Sequence, residues 1–201
     1  YEKPFEIDKS TEIYAYTDVK HSNMCGPNSW FVKSDTISAT FFKKPNNYTI
    51  NIKSKYNPQY HAGGPDGLLD GIYGTTNWRK GDWQGYQGQN FEVIIDLQTE
   101  KKISNFSATF LQDQRSWILM PTKVEYYVSK DNINFILAGA VVNDIDPKDT
   151  ENNIKDFGLI FDRVFTARYV KVIAYNFGKL PEWHQGFGGD AFIFVDEITI
   201  K

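Results

Sequence analysis

The sequence holds one cysteine, Cys25, and only two methionines among 201 residues. A single cysteine cannot close an internal disulfide, so stability has to come from packing or from a bound ion. Charge of one sign is missing too: 22 Lys and Arg stand against 25 Asp and Glu, a formal net charge of −3. Proteins that hold nucleic acid by neutralising phosphates need clustered cations, so no nucleic-acid partner is expected. No apolar run approaches the ~18 residues of a membrane span, so no transmembrane segment is expected. No long window carries apolar residues at i, i+3, i+4 and i+7, which leaves room for short helices at most. The opening Tyr1-Glu2-Lys3-Pro4 lacks the pattern of a signal peptide, and the chain reads as an excised piece of a longer protein.

Catalytic signatures are absent as well. There is no G-x-S-x-G elbow, no P-loop and no dinucleotide fingerprint, and Cys25 has no partner motif. His21, His61 and His184 show no H-E-x-x-H spacing. The chain by itself is therefore not expected to be an enzyme.

What the sequence has in quantity is aromatic residues, with 15 Phe, 12 Tyr and 5 Trp. Many fall in windows that alternate apolar and polar residues and end in Gly, Asn, Asp or Pro, the signature of half-buried strands. Such windows lie at 48–52, 91–97, 103–111, 154–161, 168–175 and 192–200. Residues 124–129 and 135–139 flank the polar turn 130–134 and predict a hairpin. Many short strands with no helical pattern between them predict an all-β, antiparallel sandwich. A boundary is expected near 43–47, dividing a small β segment, 1–45, from a complete jelly-roll sandwich over 46–201. The acidic, weakly patterned 143–153 stretch reads as a surface loop. The sequons at Asn47 and Asn105 lie in strand-like windows and read as coincidental.

Five constellations carry chemistry, each beside a plainer reading. Asp70 is followed by glycines and by Thr75 and Thr76, so one bent loop offers a carboxylate, hydroxyls and carbonyls, as calcium requires; the same residues also make a Gly-rich turn with an Asx cap. Trp83, Gln84 and Tyr86 sit among Gly81, Gly85 and Gly88. They suit a sugar surface, where a ring stacks on an aromatic face and amides bond its hydroxyls, or they cover the end of the sandwich. Gln112-Asp113-Gln114-Arg115-Ser116-Trp117 and Trp183-His184-Gln185 each put polar groups beside an indole. Arg115 equally suits an ion-pair partner and His184 a solvated side chain. Asp196-Glu197 lies within a strand window, where neighbours face opposite ways. Unless the strand is bulged, the pair cannot meet one substrate, which counts against a glycosidase acid–base pair. A carboxylate facing inward there needs a partner or a metal.

From about Tyr60 to Lys201 the chain resembles the discoidin-like, coagulation-factor type C family, and within it the family 32 carbohydrate-binding modules. The residues carrying the resemblance are Leu69-Asp70-Gly71, Thr76-Asn77-Trp78, the run 92–97, the run 124–131, Ala167-Arg168-Tyr169-Val170 and Asp196-Glu197-Ile198. Asp82-Trp83-Gln84-Gly85, Phe110-Leu111-Gln112-Asp113 and Trp183-His184 are similar to the C-terminal module of family 20 β-N-acetylhexosaminidases of gut Bacteroidetes. Residues 1–43 are similar to the small fibronectin-like unit before that module. The resemblance implies a galactose-binding-domain-like jelly roll with a structural calcium on Asp70, Thr76 and Glu197 and on carbonyls of Gly67, Ile72 and Asp196. One extra residue between Asp70 and Thr76 keeps Thr75 open as the hydroxyl ligand. It further implies sugar-site loops holding Trp83, Gln84, Tyr86, Asp113, Arg115, Trp117, Trp183 and His184. Trp83 or Trp183 would stack on the ring, while Asp113, Arg115 and His184 bond hydroxyls. The implied partners are a glycan and a catalytic domain of the same polypeptide, in a secreted, cell-surface or periplasmic hydrolase. A packing module that buttresses that domain and binds no sugar is the competing expectation.

Overall fold

The computed structural model describes residues 3–22, 29–41 and 43–201. Cys25 lies outside the described residues. Contacts divide the chain into Tyr1–Lys43 and Lys44–Lys201. The first unit holds β1 (Thr11–Ala15), β2 (Asp18–Ser22), β3 (Ser29–Lys33) and β4 (Ile37–Phe41). They pair antiparallel as two ribbons, β1 with β4 and β2 with β3. No described residue of this unit is buried, and Tyr14, Phe31 and Ile37 are among its exposed apolar side chains.

The second unit holds β5 (Thr49–Ile52), β6 (Gln84–Gln87), β7 (Phe91–Gln112), β8 (Lys123–Ser129), β9 (Ile136–Val142), β10 (Asn153–Asp156), β11 (Leu159–Tyr175) and β12 (Phe192–Ile200). The chain is all-β: among the described residues only three 3₁₀ turns accompany the strands, and no helix is long and apolar enough to cross a membrane. All pairings are antiparallel, in the order β6-β12-β7-β11-β8-β9, with β5 and β10 also on β7.

Two windows that read as separate strands, 91–97 and 103–111, are one 22-residue strand, β7. Its first half lies between β5 and the end of β11, and its second half between β12 and β10. Phe91, Val93, Ile95, Leu97 and Ile103 face inward at odd positions, then Phe106, Ala108 and Phe110 at even ones. The change of parity falls where the consecutive amides of Ser104 and Asn105 both donate to the Lys201 carbonyl, the mark of a bulge. The window 154–161, in contrast, is broken: β10 ends at Asp156 and β11 starts at Leu159. Between them Phe157 turns into the core, its amide donating to the Ala108 carbonyl.

The core is where most of the aromatic excess goes. Phe106 stacks on Tyr126 with ring centroids 5.2 Å apart, and Phe110 meets Phe157 edge-on at 5.2 Å. Each fully buried ring of this size contributes about 1.5–3 kcal/mol. The two innermost tyrosine hydroxyls are satisfied, Tyr126 donating to the Phe157 carbonyl and Tyr86 to Gln84, each at 2.7 Å. Arg168 grips Asp96 with two parallel bonds of 2.8 and 2.9 Å, tying β11 to β7.

On the outer side of β8, Glu125 Oε2 accepts from the hydroxyls of Tyr127 and Tyr175, each at 2.7 Å, while Lys123 pairs with Oε1 at 2.7 Å. Burial pushes this carboxyl up, but the three donors outweigh it and hold the pKa down at about 2. A carboxyl held below the ordinary Glu value of ~4.3 stabilises the fold above that value, and the contribution is lost as pH falls through about 2. Glu125→Gln is therefore expected to unfold at lower urea than the parent at neutral pH, with the gap closing at about pH 2. A gap that stays the same from neutral to acid pH would refute this account of the carboxylate.

Candidate functional site

Four connections of the second unit meet: 75–80 before β6, 113–122 between β7 and β8, 143–152 between β9 and β10, and 176–191 between β11 and β12. Specific bonds stitch them together. The Trp78 indole donates to Asp113 Oδ2 at 3.0 Å, and Ser116 donates to the same oxygen at 2.8 Å. Gln112, fully buried, donates to the Asp146 carbonyl at 2.9 Å. Asn152 reaches the Thr76 carbonyl. Gln185 donates to the Arg115 carbonyl at 2.8 Å.

His184 is the pin of the last connection. It is only 3% exposed, with Nε2 2.6 Å from the Gln114 carbonyl and Nδ1 accepting from the Gly186 amide at 2.9 Å. A carbonyl needs a proton from Nε2 and an amide needs a lone pair on Nδ1, so both bonds together define the neutral Nε2–H tautomer. With both nitrogens committed to backbone, His184 does not bond a sugar hydroxyl, and that expectation is corrected. Its role is to hold the neighbouring Trp183, which is 40% exposed.

The structure separates the other residues expected at a sugar surface. Trp83, Gln84 and Tyr86 are at most 1% exposed, so the expectation that they face a ligand is corrected. Their Gly-rich surroundings are not an open loop but the edge strand β6, covered by the segment running through Asn57 and Tyr60. The Asn57 amide donates to the Gly85 carbonyl, and the Gly85 amide to the Tyr60 carbonyl. A Cβ on Gly85 would lie 2.6 Å from the Phe194 ring and 2.9 Å from Tyr60, so only glycine permits this cover. The Trp83 indole donates inward to the Thr75 carbonyl at 2.9 Å and packs with Leu111, Ile118 and Phe194. Asp113 is 8% exposed, spent on Trp78 and Ser116, and so positions the loops. Trp117 is half-buried beneath the 186–189 turn, where a Cβ on Gly186 would sit 2.5 Å from its ring. Arg115 is exposed.

Three groups escaped the sequence reading. Phe187 is 63% exposed, four residues beyond Trp183. The Lys148 ammonium lies 5.7 Å from the centroid of the Trp183 ring. The Arg79 guanidinium lies 4.1 Å over the ring of Trp78. The W-x-x-x-F spacing was readable as a signal for Phe187; Lys148 approaches Trp183 only through the fold.

A second cluster brings together Asp70, Asp196 and Glu197 of the expected metal ligands, but not Thr76. The pairing of β12 with β7 steps from Val195↔Phe110 to Ile198↔Ala108, so three residues of β12 span two of β7. This is the bulge that lets adjacent carboxylates serve one loop. Asp196 accepts from the Gly74 amide and Glu197 from the Gly71 amide, while Asp70 caps the Ile72 amide. Asp70, Gly67 and Ile72 line a cavity of about 180 Å³ together with Asp82. Burial pushes Asp196 up to about 7, with Asp82 adding, and Glu197 up to about 8, with Asp70 and Asp196 adding. Burial, followed by Asp82 and Asp66, raises Asp70 as well. Among the described residues, no cation pairs with Asp70, Asp82, Asp196 or Glu197. Carboxyls buried without a counter-ion are pushed toward the neutral form, and a hard cation bound by oxygen would restore their charge. Among the described residues no three His, Cys, Asp or Glu side chains form a metal-binding group, so carbonyls would have to complete any such set. Thr76 is exposed, and its carbonyl is taken by Asn152; no hydrogen bond joins its hydroxyl to the carboxylates.

With this geometry in view, the comparisons with known proteins can be placed. Among curated proteins no sequence matches. Among solved structures the chain is similar to CpGH89CBM32-5 of Clostridium perfringens, solved in complex with GalNAc-β-1,3-galactose. That likeness has 20% identity and a TM-score of 0.47, and covers 77% of this chain and 94% of that one. It is similar to the family 32 carbohydrate-binding module of C. perfringens NanJ in complex with galactose, at 19% identity, a TM-score of 0.46 and coverage of 76% and 92%. It is also similar to a fucolectin from the serum of the striped bass Morone saxatilis, at 14% identity, a TM-score of 0.50 and coverage of 76% and 46%. At such identities these likenesses concern the fold. The family model described as the F5/8 type C domain matches residues 49–188, most of the second unit and well over half of the sequence, and on that match the chain belongs to the F5/8 type C, discoidin-like family.

Proposed function

We propose that the second unit is a non-catalytic carbohydrate-binding module that takes terminal galactose, GalNAc or GlcNAc-type sugars weakly at the Trp183 loop. The observation that carries this reading is Trp183 itself, an indole left 40% exposed on a turn that His184 pins to the rest of the site. The indole offers a flat apolar face beside polar groups, and stacking a partner on it would remove that face from water. The C–H face of a pyranose is such a partner, and Arg115, an exposed side chain of the connection that Gln185 ties to the Trp183 turn, is proposed to bond its hydroxyls. One stacked ring and a few polar groups give weak affinity. Tethering to an enzyme compensates by raising effective concentration. A buttress that binds no sugar would bury Trp83 and Trp183 or set them against the catalytic domain; Trp83 is buried, and sugar binding at the exposed Trp183 is what separates the two readings.

The parent protein in this reading is a secreted, surface or periplasmic β-N-acetylhexosaminidase of the Bacteroidetes kind. The catalytic domain of the same polypeptide is the module's partner, and residues 1–45 are a fibronectin-like spacer. What supports this is the residue resemblance around Asp82-Trp83-Gln84-Gly85, 110–113 and Trp183-His184. A structural calcium belongs to the same proposal, held by Asp70 and Glu197 with Asp196 and the carbonyls of Gly67 and Ile72. The ion supplies the positive charge that these buried carboxylates lack, and so fixes the 70–74 loop against β12.

Titration with galactose, GalNAc and GlcNAc, followed by tryptophan fluorescence, tests the sugar reading. Trp183→Ala is expected to abolish the response with little change in melting temperature. Trp83→Ala should instead cost about 3–5 kcal/mol of stability through the cavity it leaves. No response to any of the three sugars in the parent protein, or an unchanged response in Trp183→Ala, would refute it. For the metal, calcium is expected to raise the melting temperature by several degrees and a chelator to reverse this, the response vanishing in Asp70→Asn and Glu197→Gln. A melting temperature indifferent to both reagents would sink the calcium proposal.

A further inference from the structure

The 143–152 connection plays no part in the sugar reading, yet it is highly ordered by its own bonds. Asn143 Nδ2 donates to the Ile145 carbonyl, and its Oδ1 accepts from the Ile145 amide. Asp146 Oδ1 accepts from the Lys148 amide, Asp149 Oδ1 from the Glu151 amide, and Asp149 Oδ2 from Asn153. Buried Gln112 anchors the connection through the Asp146 carbonyl. Two of the four acidic side chains, Asp146 and Asp149, are thus turned onto the segment's own backbone, while Asp144 pairs with Lys155. The residue presented to the Trp183 ring is a cation, Lys148, exposed and in no ion pair among the described residues.

Elsewhere on the rim the charges are mixed. Asp113 is buried and occupied by Trp78 and Ser116, while Arg115 and Arg79 are exposed without an ion pair. The same connections expose Lys80 beside Lys148, Arg115 and Arg79, and four carboxylates, Asp144, Asp146, Glu151 and Glu182, so the rim carries both signs and Lys148 is distinguished by its place at the Trp183 ring. An ammonium 5.7 Å from the indole centroid is close to the ~6 Å limit of cation–π attraction, where an exposed contact is weak. A sugar stacking on Trp183 displaces it from the ring and leaves it within reach of that sugar's substituents.

We propose that Lys148 makes this site selective for an acidic glycan, one in which the ring on Trp183 carries or adjoins an anionic group. The chemistry shared by a sulfated hexosamine and a hexuronate–hexosamine unit satisfies this requirement: an apolar ring face for Trp183 beside a negative charge for Lys148. The inference rests on the sugar reading of the same loops and specifies its ligand class. The acidic group contributes through a solvent-exposed charge contact, so its effect is modest and screened by salt.

The test compares GlcNAc, GlcNAc 6-sulfate and a hexuronate–hexosamine disaccharide by calorimetry on the whole chain, at low and high salt. At low salt one or both anionic ligands are expected to bind about three- to tenfold tighter than GlcNAc, which tells sulfate from carboxylate as the preferred source. The preference should shrink toward unity at high salt and in Lys148→Gln. Lys53→Gln, an exposed lysine on a different connection, should retain it. Equal affinity for neutral and anionic sugars in the parent overturns the proposal while leaving the sugar reading intact. A preference insensitive to salt and to Lys148→Gln overturns the role of Lys148. Failure of all three ligands to bind overturns the acidic-glycan proposal, and the galactose and GalNAc titrations then decide the sugar reading.

Discussion

The constraint on which the second unit depends is β7. Its 22 residues pair with β5, β10, β11 and β12, so one strand serves both layers of the sandwich. A strand that passes between layers must keep its apolar side chains inward while the surroundings rotate, and a strict period of two cannot do so over this length. The bulge at Ser104 and Asn105 resolves the conflict by moving the inward set from odd to even positions. The carboxyl end of β7 then delivers Gln112 and Asp113 directly into the loop cluster. The rigidity of the candidate sugar site is therefore inherited from the core, because these two side chains anchor the 143–152 and 75–80 connections.

The loop cluster uses polar residues in two distinct ways. Gln112, Asp113 and His184 are buried and consumed by backbone or indole partners, so they fix geometry. Trp183, Arg115, Lys148 and Phe187 are left outside by that framework, and they determine what the surface can meet. Burial separates the two groups, since an unpaired polar atom inside costs more than the same atom in water. In the carboxylate cluster no side-chain cation among the described residues pairs with Asp196 or Glu197, and burial raises the pKa of both. The first unit stands apart from this economy of burial: its two ribbons expose their apolar side chains, and a two-stranded ribbon alone is marginally stable.

Fold class was legible in the sequence because alternation is a local property. The windows 48–52, 124–129 and 192–200 coincide with β5, β8 and β12 to within a residue. Where the reading departed from the structure, a distant segment was responsible. Trp83, Gln84 and Tyr86 looked like loop residues among glycines; Tyr60 and Phe194 close over them because Gly85 admits both. Asp196 and Glu197 were expected to diverge on a regular strand, and a bulge set by the partner strand brings them to one loop. His184 was readable as a residue of interest, but its two backbone partners, one of them seventy positions away, decide that it positions the site and does not bind within it.

By itself, then, the sequence determined that this chain is an all-β protein with an aromatic core and no disulfide, since side-chain alternation and cysteine count need no knowledge of neighbours. It also narrowed the functional surface to a few aromatics outside the strand windows. Only the tertiary structure decided which of those aromatics stay in contact with solvent. Exposure is fixed by what packs across from a residue, and that depends on segments far away in sequence. The same long-range packing buried Trp83, left Trp183 open, and brought Lys148 from an acidic segment to its side.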